Sequence, residues 1–188
     1  VSTVNNVYVF EVIIMEDELI LVNIFDEEVG SCPKLLTHQQ GILHRAFSVF
    51  VVHDGRMLLQ KRNSEKYHSG GLWTNACCSH PRKGEILSDA VSRRLLDELG
   101  VKFPVQEYFD FVYRAEFANG ITEYEYDHVL LADYCRDIRP NPEEIEELRW
   151  VDFGELKEEL TKNPEHFTAW FIIAAPKVLK RLSEEIKK

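Results

Sequence analysis

The sequence predicts an α+β fold, a single domain of antiparallel hairpins and helices, and three observations carry that reading. Two turn pairs, Asp54-Gly55 and Asn119-Gly120, each join two long β-type runs, which is the pattern of a hairpin. Residues 88–99 set Val91, Leu95 and Leu99 four apart, the stripe of a helix packed on one side. The chain has 188 residues, 45% of them hydrophobic, enough to bury one sizeable core, so 1–188 is read as one domain.

The elements follow in order. Residues 7–15 and 19–23 read as strands parted by the polar turn Glu16-Asp17-Glu18, residues 26–30 as another turn, and 31–43 as loop with a short helix in it. Residues 44–52 form a strong strand that turns at Asp54-Gly55 into a second at 57–62, and 73–80 reads as extended. The helix at 88–99 has Ser88 as its expected N-cap and Gly100 as the left-handed residue that ends it. A second hairpin spans 108–117 and 121–134, followed by a strand at 146–152 and an amphipathic helix at 153–162. The C-terminal helix, about 167–187, carries Ile172, Ile173, Val178, Leu179 and Leu182 on its apolar side, and Pro176 is expected to kink or divide it.

Composition excludes several classes. A net charge of −10 with no basic cluster before the C-terminal tail argues against a nucleic-acid surface, so any small anion must be held by a few local cations. No apolar run approaches the ~20 residues of a membrane span, and no cleavable leader pattern opens the chain, so a cytoplasmic protein is expected. Cysteines 32, 77, 78 and 135 lack paired spacing, which favours free thiols over disulfides or a structural zinc site.

The chemistry gathers around residues 72–101. In an extended 73–80, Cys78 and His80 project to one side while Cys77 and Ser79 project to the other. On the following helix Arg94 and Glu98 lie one turn apart, as do Arg93 and Asp97. His38 and His44 bracket the mouth of the 44–52 strand. Arg62 and Lys66 end the first hairpin close to this centre and suit an anionic headgroup, since arginine binds phosphate oxygens bidentately and lysine supplies a point charge. Glu123 and Glu125, two apart on a strand, share a face; their repulsion is relieved by a cation between them or by a raised pKa on one.

Glu85 together with Arg93-Arg94-Leu95-Leu96-Asp97-Glu98 and Gly100 resembles the Nudix box, a loop-helix-loop that holds a divalent cation against a diphosphate. Hydrolases with that box use several helical carboxylates to bind metal and polarise water. Here Ser79 stands where the box opens with Gly, Arg94 where its first helical Glu belongs, and Asp97 replaces another Glu, so the resemblance suggests the fold and weakens hydrolysis. Four further pieces complete the pattern: His38 and His44-Arg45-Ala46-Phe47-Ser48; Leu72-Trp73-Thr74-Asn75-Ala76-Cys77-Cys78-Ser79-His80-Pro81; Glu123-Tyr124-Glu125; and Thr168-Ala169-Trp170. Over roughly residues 15–182 the chain looks like the type 1 isopentenyl diphosphate isomerases, metal-dependent members of the Nudix superfamily.

That resemblance implies a Nudix-like fold, mixed and antiparallel sheets flanked by helices, and a set of roles. His38, His44, His80, Glu123 and Glu125 would bind a divalent ion, Mn²⁺, Mg²⁺ or Zn²⁺, and Glu98 would help hold a second Mg²⁺ that arrives with the substrate diphosphate. Arg62, Lys66 and Arg94 would contact the phosphates. Cys78 and Glu125 would be the acid/base pair, Tyr113 would hydrogen-bond to it, and the face of Trp170 would stabilise a carbocation. The partner implied is a small molecule, isopentenyl or dimethylallyl diphosphate, with no flavin, nucleic acid or membrane; the oligomeric state is left open, a monomer being one plausible form. Gly70 and Ala169 stand where the family usually has proline, which bears on loop rigidity. The competing readings are a Nudix diphosphohydrolase acting on a diphosphate ester and a non-catalytic domain with a structural metal.

Overall fold

The structure, a computed structural model, describes residues 17–66, 68–133 and 136–185. The strand expected at 7–15, Cys135 and the last residues of the tail lie outside the described residues. The organising element is β3 (His44–His53), whose core run Phe47, Val49, Phe50 and Val51 is buried on both faces. A strand covered on two sides needs a near-continuous apolar run, and 47–51 supplies one broken only by Ser48.

One edge of β3 pairs parallel with β8 (Thr122–Asp133), from His44↔Glu125 through Val52↔Asp133. The other edge passes from partner to partner: β1 (Glu18–Val22) at His44, β6 (Cys77–Ser79) at 47–49, and β4 (Arg56–Arg62) at 51–53. The remaining strands extend these: β2 (Glu28–Pro33) on β1, β5 (Trp73–Thr74) and β9 (Ile145–Asp152) on β4, and β7 (Gln106–Glu116) on β8. The β3–β4 turn has positive φ at both Asp54 and Gly55, as a type I′ turn requires.

Helices cover both faces. α2 (Leu87–Leu99) lays Ala90, Val91, Leu95 and Leu99 against Phe47, Val49 and Val51, while Cys77 turns into the same cluster. On the opposite face, α4 (Ala169–Glu185) packs Phe171, Ala174, Val178 and Leu179 against Phe50 and Val129, with Leu156 of α3 (Phe153–Lys162) beside them. α1 (Lys34–Gln40) closes the end of the sheet where β3 begins.

Four expectations need correction. Residues 28–33 are a strand rather than part of a turn, because antiparallel pairing with β1 supplies the backbone partners that residue preference alone does not demand. Ser88 is not the N-cap of α2: Ile86 occupies that position in extended conformation without a side-chain cap, and its carbonyl accepts from the Asp89 and Ala90 amides. Arg93 does not pair along the helix with Asp97 but reaches back to Glu85 at 2.8 Å. Pro176 does not divide the last helix, which runs unbroken from 169; the proline is exposed, and buried Ala174, Ala175, Val178 and Leu179 hold the helix across it.

The loop between β4 and β5 carries Lys66 and is tightly folded. Its ends are tied by Arg62 N to Leu72 O at 2.9 Å and Gly71 N to Arg62 O at 3.0 Å. A Cβ on Gly70 would lie 2.5 Å from the Ser64 carbonyl oxygen, so glycine here marks close approach of two backbone segments and does not slacken the loop. Gly70→Ala should therefore cost about 1–3 kcal/mol by forcing the Ser64 peptide outward. A fall in the urea midpoint with unchanged slope is the expected result; a midpoint equal to the parent's would show that the loop has room.

Candidate active site

Three imidazoles converge where α1, β3 and β6 meet. His38 lies on α1, His44 opens β3 and His80 follows β6; their ring centres are 4.9 Å (38–44), 5.4 Å (38–80) and 4.9 Å (44–80) apart. The Nδ1–H of His38 donates to the Lys34 carbonyl at 2.7 Å, and that of His44 donates to the Ile42 carbonyl at 2.8 Å. Those bonds leave the Nε2 lone pairs facing inward, and both Nε2 atoms are buried without a hydrogen-bond partner among the described residues. Glu125 closes the group, with Oε1 2.9 Å from His80 Nε2 and 3.6 Å from His44 Nε2. The ligand atoms of His38, His44, His80 and Glu125 all lie within 4.8 Å of one another.

These donors fit a divalent ion. Buried nitrogens with fixed tautomers and no other partner are ready ligands, and burial pushes the imidazoles toward the neutral, metal-binding form: His38 is lowered and His80 falls to about 3. The type 1 isomerases that the sequence resembles depend on such an ion.

Register explains the convergence. His44 is the parallel partner of Glu125, and Tyr113 of β7 is Glu125's antiparallel partner on its other side. Residues paired across a ladder share a face, so these three side chains stand in one row. The Tyr113 hydroxyl lies 2.7 Å from Glu125 Oε2 and 3.1 Å from Glu123 Oε2, bridging the two carboxylates. Burial, and then the charge of Glu125, pushes Glu123 well above the ordinary carboxylate range. Burial would raise Glu125 as well, but His80 and His44 hold it well below.

Cys78, Glu125, Tyr113, Trp170, Arg62 and Lys66 all line one cavity, and Glu123, Glu98 and Arg94 join them. The alternation expected of the thiol strand is present: Cys77 sits in the core while Cys78 and His80 face the cavity. Burial pushes the Cys78 thiol well above its ordinary value, Arg62 opposing and Glu98, Glu125 and Glu123 adding to it. Trp170 is fixed by its indole N–H, which donates to Asn75 Oδ1 at 3.2 Å. Asn75 Nδ2 donates in turn to the carbonyls of Val49 and Cys77, and Thr168 and Thr74 complete a buried chain of hydroxyls, which anchors the start of α4 without a proline at 169. The Arg62 guanidinium lies 5.3 Å from the centre of the Trp170 ring.

Two expected roles take a more specific form. Glu98 is buried and already accepts hydrogen bonds from Arg94 at 2.7 Å and Gln60 at 2.9 Å. Glu123 stands beside the tight four-residue group rather than within it.

Three cavity residues went unnoticed in the sequence: His68, Lys34 and Glu144. His68 lies 3.6 Å from Glu123 and edge-on to Trp170, with burial lowering it to about 3; its place two residues after Lys66 was the available signal. Lys34 is four residues before His38 on α1, a spacing visible only once that helix is recognised. Glu144 pairs with both Lys66 and Arg94, across a sequence separation that no local pattern reveals.

A family profile described as the NUDIX domain matches residues 42–171, from just before β3 into α4. Isopentenyl-diphosphate Delta-isomerase 2 of Aromatoleum aromaticum is 45% identical over 168 residues, covering 88% of each chain. The Isopentenyl-diphosphate Delta-isomerase of Photobacterium profundum is 42% identical over 180 residues, 92% of this chain and 98% of its own. Among solved structures, DR0079 from Deinococcus radiodurans superposes with a TM-score of 0.70 at 17% identity, covering 86% of this chain and 98% of its own, a likeness of fold. Identity of this extent over most of the chain means that it belongs to the isopentenyl-diphosphate Delta-isomerase family and is built on a NUDIX domain.

Proposed function

We infer that the chain interconverts isopentenyl diphosphate and dimethylallyl diphosphate by adding a proton at one carbon and removing one from another. The observation that carries this is the shared buried cavity of Cys78 and Glu125, one beside and one within the three-imidazole cluster. A protonated thiol and an ionised carboxylate, the forms their surroundings favour, give the pair one proton to deliver and one vacancy to receive.

Protonating the terminal alkene carbon puts positive charge on the tertiary carbon, and loss of a C2 proton restores the double bond at its new position. An unactivated alkene is a poor base, so water must be kept out and the cation stabilised. Trp170 offers its ring face for this, worth about 2 kcal/mol when desolvated. Tyr113 holds the Glu123–Glu125 pair in place by its hydroxyl. In the same cavity Arg62, Lys66 and Arg94 receive the diphosphate, which stays attached throughout.

His38, His44, His80 and Glu125 would hold the ion, with Glu123 beside them, and the donor types accept Mn²⁺, Mg²⁺ or Zn²⁺ without selecting among them. The bound ion supplies positive charge that keeps Glu125 ionised and offsets the repulsion between the two carboxylates. Glu98 would help hold a Mg²⁺ that arrives with the diphosphate. Hydrolysis is disfavoured because Arg94 engages the helical carboxylate that would otherwise help polarise water.

Incubation with isopentenyl diphosphate and Mg²⁺ or Mn²⁺ should yield the acid-labile allylic isomer without release of phosphate. Phosphate release, or no conversion under any metal loading, would overturn the reading. Cys78→Ala and Glu125→Gln should each lower kcat by at least about 10²-fold, the usual worth of a positioned acid or base; full activity in either removes that residue from the pair. His44→Ala should lose the tightly held metal, read by elemental analysis after dialysis; a metal content equal to the parent's would exclude His44 as a ligand.

A further inference from the structure

Glu144 stands where three segments meet. It immediately precedes β9; its amide donates to the Asn141 carbonyl at 3.0 Å, and its own carbonyl accepts from Asn63 N at 2.9 Å, at the base of the loop that carries Lys66. Asn141 N donates to the Glu98 carbonyl at the end of α2 at 2.8 Å. The backbone of Glu144 is thus held on both sides, and only its side chain has freedom to move.

That side chain lines the cavity, and one of its oxygens, Oε2, serves two cations. It accepts from Lys66 Nζ and lies 3.3 Å from Arg94 Nη2. The three side chains are about equally accessible, 22% for Glu144, 25% for Lys66 and 19% for Arg94, so the cluster lies at the mouth of the cavity rather than in its floor. Burial would raise the Glu144 carboxyl, but Lys66 and Arg94 hold it below the ordinary range, so it is ionised at neutral pH. An anionic oxygen between a lysine ammonium and an arginine guanidinium is the arrangement a phosphate oxygen would adopt. Among the described residues no carboxylate pairs with Arg62, the third cation of the headgroup set, which donates to the His68 carbonyl at 3.4 Å and whose buried Nε has no hydrogen-bond partner.

We propose that Glu144 is an internal anion that occupies part of the diphosphate site in the free protein and is displaced by the substrate's headgroup, weakening the hold on diphosphates and hastening product release. The proposal rests on the reading above that Lys66 and Arg94 bind the diphosphate. Substrate and product carry the same headgroup, so a carboxylate competing for its cations opposes both equally. Binding lost equally from ground state and transition state raises KM without lowering kcat, and it keeps the product from lingering. Glu144 is therefore a positioning residue that acts through Lys66 and Arg94 and touches no reacting carbon.

The test compares the parent protein with Glu144→Gln, which keeps the side chain's shape and removes its charge, and with Glu144→Asp, which keeps the charge. Inorganic pyrophosphate with Mg²⁺ is titrated calorimetrically, and KM and kcat are measured with isopentenyl diphosphate. Glu144→Gln should bind pyrophosphate about three- to tenfold more tightly, the effect expected of removing one charge beside two largely buried cations that keep some solvent contact. Its KM should fall by a similar factor with kcat unchanged or lower, and Glu144→Asp should stay near the parent. Unchanged or weaker pyrophosphate binding by Glu144→Gln overturns the proposal; weakening confined to Mg²⁺-containing buffer would instead make Glu144 a ligand of the ion that travels with the headgroup. Lys66→Ala separates the two levels of inference. If it weakens pyrophosphate binding, the headgroup assignment stands whatever Glu144 does, and if it does not, that assignment falls and takes the proposal with it.

Discussion

The rung that pairs His44 with Glu125 across the parallel β3–β8 ladder is the constraint on which the site depends. Side chains alternate along a strand, so a slip of one residue would turn Glu123 and Glu125 from the cavity to the opposite face, away from His38 and His80. Polar groups do not hold that register themselves, since burying an imidazole and a carboxylate is costly. The apolar residues around them do. Phe47, Val49 and Val51 must face α2 while Phe50 and Val129 face α4, and a slip would exchange the two sets. Both faces are covered, so the exchange would leave these residues buried but misfitted, at about 1–3 kcal/mol for each overpacked side chain. The hydrophobic core thus positions the chemistry.

A site built this way is electrostatically unbalanced. His38, His44, Glu98, Glu123, Glu125 and Asp127 are all buried. Glu98 is answered by Arg94 and Gln60, and Asp127 accepts from Ser48 at 2.9 Å while burial, and then Glu125, raises it to about 8. Glu123 and Glu125, joined by one tyrosine hydroxyl, are driven in opposite directions because neighbouring carboxylates in a dry environment resist ionising together. A divalent cation among the imidazoles would remove the conflict, a physical reason for neutral histidines, unpartnered nitrogens and paired acids to lie in one place.

Much of this was legible from local patterns. The two hairpins, the 44–52 strand and the alternation of Cys77 and Cys78 rest on turn chemistry and on period-two geometry, which operate over a few residues. Glu123 and Glu125 could be put on one face for the same reason. What local reasoning did not supply was anything fixed by a partner far along the chain. Residues 28–33 became a strand because β1 lies beside them. His68 and Glu144 entered the cavity because the 63–72 loop folds against the 139–144 segment. Arg93 chose Glu85 over Asp97 because the loop before α2 bends back to meet it. Pro176, a reliable breaker in an isolated helix, was overruled by packing on either side of it.

The arginines of α2 show how the scaffold's charge was rearranged. Arg93 closes on Glu85 at 2.8 Å and Arg94 on Glu98 at 2.7 Å, while Asp97 remains half-exposed, 3.6 Å from Arg94. A helix whose acids are answered one by one cannot present the cluster of bare carboxylates needed to gather metal and activate water against a phosphorus centre. The strongest unpartnered ligand atoms lie instead at the sheet end, on His38 and His44, beside the thiol. On the proposed function, cation binding for chemistry and cation binding for the headgroup would be separated along one cavity, with Cys78, Glu125 and Trp170 toward the imidazoles and Lys66, Arg94 and Glu98 toward α2. On the same reading, a substrate spanning the two would have its phosphates held by fixed positive charge and its hydrocarbon end set among the proton carriers. That separation would let a domain that grips a diphosphate leave the ester intact and move a double bond at the far end of the same molecule.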